Sequence, residues 1–219
     1  ALLLRHNYIP APYSIYQGIR KLPPCTWLRL GAGQRDVAPV AYWSLADVAE
    51  RGVAHPFQGS EADALDALEQ HLGNAVRGQI MADVPLGALL SGGIDSTVIT
   101  ALMQANSRQP VRTFTIGFDE KQYDEATHAR AVAAHLGTAH TELRLSGDDA
   151  LALVPQLPAM YDEPFADSSQ LPTHLVMKLA RQHVTVALSG DAGDEMFGGY
   201  NRYFLGPKTW ERIRWMPPA

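Results

Sequence analysis

The alternation of short apolar runs with helix-like segments constrains the fold more than any other feature of this sequence. Apolar runs at 86–90, 111–117, 139–145 and 184–188 have the length and composition of buried strands. Before and between them, apolar residues recur at helical spacing and predict helices at 61–81, after residue 96, and at 125–136, 148–161 and 170–183. Strands that alternate with helices form a parallel sheet with helices on both faces, so the predicted fold class is α/β.

The first 57 residues differ from the rest of the chain. This segment is rich in proline and holds two of the four tryptophans, which favours loops and edge strands rather than helices. At Ser60, a candidate N-cap, the helical pattern begins and marks the start of a second domain. The sequence does not begin with methionine, and we expect it to be a piece of a longer protein.

The charge balance and the single cysteine narrow the function classes. Eighteen lysines and arginines against 23 aspartates and glutamates give a net charge of −5, and no stretch collects like charges. Cys25 has no second cysteine for a disulfide or a zinc pair, and the eight histidines form no metalloprotease-type motif. No apolar run approaches the ~18 residues of a membrane span. We therefore expect no nucleic-acid, membrane or zinc partner, and a cytoplasmic location.

An anion-binding turn is predicted at 91–96, which reads SGGIDS. Paired glycines let backbone N–H groups close on a phosphate, hydroxyls flank them, and a helix N-terminus follows. The lysine of a Walker A loop is missing, and Asp95 stands where a cation is expected. A carboxylate beside phosphate needs a metal between them, which for oxygen ligands is most simply Mg²⁺. The alternative is a surface Ser/Gly turn in which Asp95 is an ordinary helix cap.

A second turn repeats this pattern at 189–195, which reads SGDAGDE and follows the predicted strand 184–188. In the alternative interpretation, Asp194 and Glu195 only interact favourably with the helix dipole at the start of a helix. In parallel sheets, ligands bind outside the carboxyl ends of the strands, where both turns are predicted to lie. We therefore expect the two turns to share one site.

These motifs resemble a known family. SGGIDS is similar to the PP-loop of the ATP pyrophosphatase superfamily. The longer strings ADVPLGALLSGGIDS, YDEPFADSSQLPT and ALSGDAGDEMFGGYNRY resemble the synthetase domain of glutamine-hydrolysing asparagine synthetases, over about residues 60–205. The opening LRHNYIPAPYSIYQGIRKLPP is similar to the end of that family's amidotransferase domain.

The resemblance implies a domain organisation. It places a remnant of an Ntn-type amidotransferase domain at 1–45 and a linker at 46–59. Residues 60–219 would form a truncated synthetase domain with the adenine nucleotide α-hydrolase-like PP-loop fold.

The resemblance also implies roles for individual residues. Asp95 and Asp194 would hold Mg²⁺ and pyrophosphate from the two turns. Asp191 would handle protons near an acyl-adenylate, at a position where the best-studied family members carry glutamate. These three aspartates are the predicted catalytic residues. The other residues expected to bind ATP or its pyrophosphate are Leu89, Ser91, Gly92, Gly93, Ser96, Ile116, Ser189 and Gly190.

Candidates for binding the acyl acceptor lie in the segment EPFADSS and in the second turn. They are Glu163, Asp167, Ser168 and Glu195. In the alternative interpretation, Asp167 or Ser168 is the N-cap of helix 170–183. Asp119 and Asp124 follow the predicted strand 111–117. Helix capping explains Asp124, which stays a candidate for nucleotide or substrate contact.

The implied reaction amidates a carboxylate with Mg²⁺ and ATP as cofactors. The carboxylate, most commonly that of aspartate in this family, attacks the α-phosphate, and ammonia then displaces AMP. Ammonia would come from glutamine in a missing amidotransferase domain, whose amino-terminal cysteine nucleophile is not matched by the internal Cys25. In this family a lysine downstream of the second turn supports the chemistry. No matching lysine follows Lys208 in this sequence, so we expect the chain to be incomplete as a catalyst. A homodimer is a further expectation.

Other hypotheses fit the residues less well or differ only in the acceptor. A PP-loop enzyme acting on tRNA is disfavoured by the single cysteine and the acidic balance, and NAD and GMP synthetases lack EPFADSS. A relative that acts on a β-lactam or glycan carboxylate differs in the acceptor pocket, where Asp191 falls. A non-catalytic fragment that only binds ATP is the third alternative.

Overall fold

A computed structural model describes residues 1–34, 37–118 and 125–216. By packing, the chain divides into two compact units. The first unit comprises Ala1–Leu68 and Leu151–Leu171, and the second comprises Glu69–Ala150 and Pro172–Ala219. The predicted domain boundaries at 45/46 and 59/60, and the amidotransferase ancestry of the first segment, stay predictions.

The secondary structure follows the chain in a regular order. The first 60 residues contain α1 (Leu2–His6), β1 (Thr26–Trp27), β2 (Val40–Ala41) and α2 (Leu45–Ala54). The middle of the chain contains α3 (Glu61–Gln79), β3 (Leu86–Leu89), α4 (Ile94–Ala105), β4 (Arg112–Phe118), α5 (Ala126–Leu136) and β5 (Ala139–Leu145). The last part contains α6 (Gly147–Leu151), α7 (Leu157–Met160), α8 (Gln170–Arg181), β6 (Val186–Leu188), α9 (Gly193–Phe197) and α10 (Asn201–Ile213).

The second unit contains a four-stranded parallel sheet in the order β5-β4-β3-β6. Buried side chains on the sheet alternate between its faces, because successive residues of a strand point in opposite directions. Ala88 packs with Val76 of α3 and Met103 of α4, whereas its neighbour Leu89 packs with Leu179 of α8. The predicted parallel sheet flanked by helices is therefore confirmed.

Serine caps set where several helices begin. The Ser60 hydroxyl accepts a hydrogen bond from the N–H of Asp63 (3.2 Å), and the Asp63 carboxylate accepts one from the N–H of Ser60 (2.9 Å). This reciprocal capping box satisfies two N–H groups that the helix leaves without partners, and it confirms Ser60 as the N-cap of α3. Ser146 and Asp149 repeat the arrangement before α6.

Two predictions about helices were wrong. The helix predicted at 148–161 is interrupted, because Pro155 and Pro158 each lack an N–H; α6, a 3₁₀ turn (Val154–Gln156) and α7 take its place. The first 57 residues are not only loops and edge strands, since they contain α1 and the ten-residue α2. The hydroxyl of Ser44 caps α2 by accepting from the N–H of Asp47 (3.2 Å).

Cys25 has a left-handed backbone conformation (φ 56°), and its carbonyl accepts a hydrogen bond from Tyr42 at the β1–β2 pair. Its thiol forms no disulfide. Within the described ranges, no helix has the length and apolar character that crossing a membrane requires.

Candidate functional site: two glycine-rich turns at the sheet edge

The first turn lies between β3 and α4, where the backbone needs glycine for two reasons. Gly92 has φ +82°, a conformation that side chains disfavour. It also packs so closely on α5 that a Cβ would lie 2.6 Å from the N atom of Ala129. Gly93 is the N-cap of α4. The turn is thereby held directly at the N-terminus of a 12-residue helix.

The hydroxyls of two serines stabilise this turn through hydrogen bonds within it. Ser96, 8% exposed, donates its hydroxyl proton to the carbonyl of Gly93 (3.3 Å), so the Ser91 hydroxyl donates to Ser96 (2.9 Å between the oxygens). The hydroxyls in turn accept from the backbone: Ser96 from the N–H of Ser91 and Ser91 from the N–H of Gly93, both at 3.3 Å. These N–H bonds are at the long end of the usual range.

The second turn follows β6 and has its own internal bonds. The Ser189 hydroxyl donates to the Asp191 carboxylate (2.9 Å) and accepts from the N–H of Asp191 (3.4 Å). Ala192 adopts φ 73°, and the N–H of Gly193 bonds the carbonyl of Gly190 (3.2 Å). The chain then enters α9 with Asp194 and Glu195 in its first turn, where carboxylates interact favourably with the helix dipole.

The two turns are in direct contact because β3 and β6 are neighbours in the sheet. A Cβ on Gly190 would lie 2.6 Å from the N atom of Ser96 and 2.7 Å from the carbonyl carbon of Asp95. A Cβ on Gly193 would overlap the carboxylate of Asp95. The structure therefore brings together the two turns that the sequence analysis expected to share a site. The ligand roles of their residues stay predictions.

Asp95 and Asp194 are half-buried carboxylates that accept no hydrogen bond and form no ion pair with the described residues. Asp95 packs on Gly193, the residue directly before Asp194. In the part of the chain that the structure describes, no group of three or more His, Cys, Asp or Glu could hold a metal ion. Mg²⁺ is commonly bound by one or two carboxylates plus the phosphates of its substrate. The residues present fit that mode of binding and do not form an all-protein cage.

Leu89 and Ile116, two of the residues expected to bind ATP, lie in the carboxyl-terminal halves of their strands. Leu89 is the last residue of β3 and packs with the buried Phe114. Ile116 is half-buried in β4 and pairs with Leu143 of β5.

Glu195 is engaged with a residue that sequence reasoning missed. The Tyr200 hydroxyl donates to the Glu195 carboxylate (2.9 Å), and this bond raises the pKa of Tyr200 above its ordinary value. The guanidinium of Arg202 lies 4.2 Å from the centroid of the Tyr200 ring, a cation–π distance. Glu195 and Tyr200 are five positions apart on either side of a helix end, so helical periodicity alone does not pair them.

The remaining acceptor candidates belong to the first unit, and their contacts are local to it. Asp167 accepts from the N–H of Ser169 (2.8 Å), which holds its pKa below the ordinary value just before α8 begins. This contact supports the capping interpretation of Asp167, and Ser168 is exposed. Glu163 pairs with Lys21, a residue that sequence reasoning did not single out. Asp119 and Asp124 lie outside the described residues.

The fold and the two turns define a class: an α/β protein with two glycine-rich turns at the carboxyl edge of a parallel sheet. Comparison with known proteins adds the family. The family model for asparagine synthase matches residues 67–219, which is more than half of the chain. The chain therefore belongs to the asparagine synthase family, as the resemblance implied.

Individual relatives agree with this assignment. Glutamine-hydrolysing asparagine synthetase 1 of Bacillus subtilis is 36% identical over 209 residues, which is 94% of this chain and 32% of that protein. A relative from Methanocaldococcus jannaschii is 36% identical over 212 residues, 96% of this chain and 39% of its own length. The chain thus spans about a third of these relatives. Among solved structures, the NMN synthetase of Francisella tularensis matches 63% of this chain and 59% of its own, with a TM-score of 0.45 and 18% identity.

Proposed function

We propose that this chain is the adenylating part of a glutamine-hydrolysing asparagine synthetase. The complete protein would convert L-aspartate, ATP and ammonia to asparagine, AMP and pyrophosphate. Family membership and the name of the Bacillus subtilis relative support this reaction. Because the chain spans about a third of its relatives, glutamine hydrolysis in an amidotransferase domain is part of the proposal.

The contact between the two turns carries the proposal. Gly190 and Gly193 pack against the backbone and the carboxylate of Asp95. Any residue other than glycine at these two positions would place its Cβ too close to Asp95. The two turns bring backbone N–H groups and carboxylates together at one edge of the sheet. That combination suits a triphosphate bound together with a divalent cation. An ordinary surface turn would not require it.

The first turn would bind the phosphates of ATP. Its Ser91 and Gly93 N–H groups make only long bonds, 3.3 Å, to the serine hydroxyls, so phosphate oxygens can replace those acceptors. The N-terminus of α4 adds the favourable end of a helix dipole. Leu89, Ile116, Ser189 and Gly190 would line the adenine pocket, where backbone atoms matter more than side chains.

Asp95 and Asp194 would hold Mg²⁺, since both carboxylates are free of other partners among the described residues. When bound there, Mg²⁺ would supply positive charge that stabilises the leaving pyrophosphate. The protein's own contribution is to orient the two carboxylates: the packing of Asp95 on Gly193 fixes one, and the first turn of α9 fixes the other.

The chemistry itself needs mainly positioning and charge stabilisation. An oxygen of the substrate carboxylate attacks the α-phosphorus of ATP, and the bond to pyrophosphate breaks. Ammonia then attacks the acyl carbon, the bond to AMP breaks, and one proton must be removed from the nitrogen. Asp191 is our candidate for receiving that proton, with its carboxylate oriented by the Ser189 hydroxyl at 2.9 Å.

Ser168 and Glu195 are our candidates for binding the acyl acceptor. Ser168 is exposed beside the capping residue Asp167, and Glu195 is oriented by the Tyr200 hydroxyl. Either side chain can pair with a charged group of an amino acid. Homodimerisation and a cytoplasmic location stay predictions.

Acceptor-dependent exchange of pyrophosphate into ATP tests the proposal directly, using the longest natural form of the protein with Mg²⁺. A panel of carboxylic acids including L-aspartate supplies the acceptors. Exchange with aspartate alone is the expected result. Exchange with another acid would favour the β-lactam or glycan alternative, and ATP binding without exchange would contradict catalysis by this chain.

A further inference from the structure

The segment 161–167 is tied to the amino-terminal segment 7–21 by a set of polar contacts within the first unit. The N–H of Ala166 donates to the carbonyl of Asn7 (2.6 Å), and the Tyr16 hydroxyl donates to the carbonyl of Asp162 (3.1 Å). These partners are more than 140 positions apart in the sequence. The conformation of 161–167 is therefore set by contacts from a distant segment as well as by its own sequence.

Glu163 is at the centre of these contacts. The Lys21 ammonium lies 2.5 Å from one of its carboxylate oxygens, and the N–H of Ile15 donates to the other (2.9 Å). The same ammonium donates to the carbonyl of Ile9 (2.5 Å). The side chain of Glu163 is 14% exposed, and the bond from Lys21 holds its pKa below the ordinary value. Both carboxylate oxygens are thus already occupied by donors from segment 7–21.

A cavity of about 650 Å³ lies between the two segments. Its walls include Tyr8, Lys21, Tyr161, Glu163 and Phe165. The rings of Tyr161 and Phe165 meet edge to face, with centroids 4.7 Å apart. Lys21 and Glu163 cross-link the walls of this cavity, so breaking their pair frees one wall to move relative to the other.

We infer that Lys21 and Glu163 form a positioning latch, through which segment 7–21 sets the conformation of 161–167, the segment directly before the acceptor candidate Ser168. Glu163 acts through this latch and does not contact the acceptor itself. The consequence for acceptor binding rests on the proposed function, whereas the conformational effect does not. The latch assigns a role in the synthetase reaction to Lys21, in the segment that resembles an amidotransferase domain.

Two measurements on the full-length protein test the latch. The first is amide hydrogen exchange of peptides that cover 161–167, in Lys21→Met, Glu163→Gln and the double variant. The second is the acceptor concentration for half-maximal pyrophosphate exchange, alongside the Kd of Mg·ATP. Arg20→Met is the matched control, since Arg20 is an exposed cation next to Lys21.

Each single variant is expected to speed amide exchange in 161–167 and to raise the half-maximal acceptor concentration, both by about fivefold to tenfold, the usual net effect of losing one hydrogen bond. The double variant should be no worse than either single variant, because both remove the same interaction. Lys21→Arg keeps a cationic donor opposite Glu163 and should leave both readouts near their wild-type values. The Kd of Mg·ATP and the Arg20→Met control should not change.

Two results would overturn the latch. One is unchanged amide exchange in both single variants. The other is an acceptor defect in Glu163→Gln with a normal Lys21→Met, which would make Glu163 a direct acceptor ligand. If the wild-type protein gives no pyrophosphate exchange with any acid, the proposed function fails, and hydrogen exchange still decides whether the latch exists.

Discussion

The close packing of Gly190 on the first turn gives the sharpest test of the candidate site. In Gly190→Ala, the new Cβ would lie 2.6 Å from the N atom of Ser96 and 2.7 Å from the carbonyl carbon of Asp95. Ordinary contacts begin at about 3.4 Å, so the turns must separate by about 0.8 Å. Both obstructing atoms belong to the backbone, and no side-chain rotation can relieve the overlap.

The expected consequence has two parts. The free energy of unfolding should fall by about 1–3 kcal/mol, the usual effect of forcing an extra carbon into a packed site. The affinity for Mg·ATP should fall by about tenfold to hundredfold, because a displacement near 1 Å moves the phosphate-binding groups out of position. Urea denaturation measures the first quantity, and isothermal titration calorimetry measures the second under conditions where circular dichroism shows the variant folded.

Gly78→Ala is the matched control. Gly78 lies in α3 with no atom within 4 Å of its would-be Cβ, so the substitution should leave the affinity unchanged and should not destabilise the protein. Wild-type Mg·ATP affinity in Gly190→Ala would refute the reasoning that the two turns form one nucleotide site.

Three further predictions concern single side chains. Asp95→Asn should weaken ATP binding about tenfold in the presence of Mg²⁺ and have little effect without it, because the lost carboxylate would hold the cation; equal affinities with Mg²⁺ would contradict that role. Ser60→Ala should lower the free energy of unfolding at pH 7 by about 1 kcal/mol in urea titrations, through loss of the α3 cap. The hydrogen bonds from Ser60 lower the pKa of Asp63 below its ordinary value. Their stabilisation is therefore present above the unfolded-state pKa and is lost as the pH falls through the folded-state pKa, and Ser60→Ala should weaken this acid dependence. Glu195→Gln should lower the pKa of Tyr200 towards its ordinary value, and an unchanged phenolate titration in ultraviolet difference spectra would show that the bond to Glu195 is absent in solution.

The sequence predicted the helices and strands whose limits depend on interactions between neighbouring residues. The strands 111–117 and 139–145 and the helix 125–136 agree with β4, β5 and α5 to within a residue at each end. Their apolar periodicity and the helix-ending Gly137, which adopts φ 70°, are properties of neighbouring residues. The two wrong predictions also concern local features: Pro155 and Pro158 interrupt 148–161, and Ser44 caps α2, and both signals are visible in the sequence.

The sequence by itself determined the α/β class, the positions of the two glycine-rich turns and the resemblance to a family. Only the tertiary structure decided that β6 pairs with β3, although about 100 residues separate them, and that Gly190 and Gly193 therefore pack on Asp95. The same holds for the pairing of Lys21 with Glu163. Periodicity and capping depend on residues within a few positions of one another, whereas strand order and ion pairs depend on how distant elements pack.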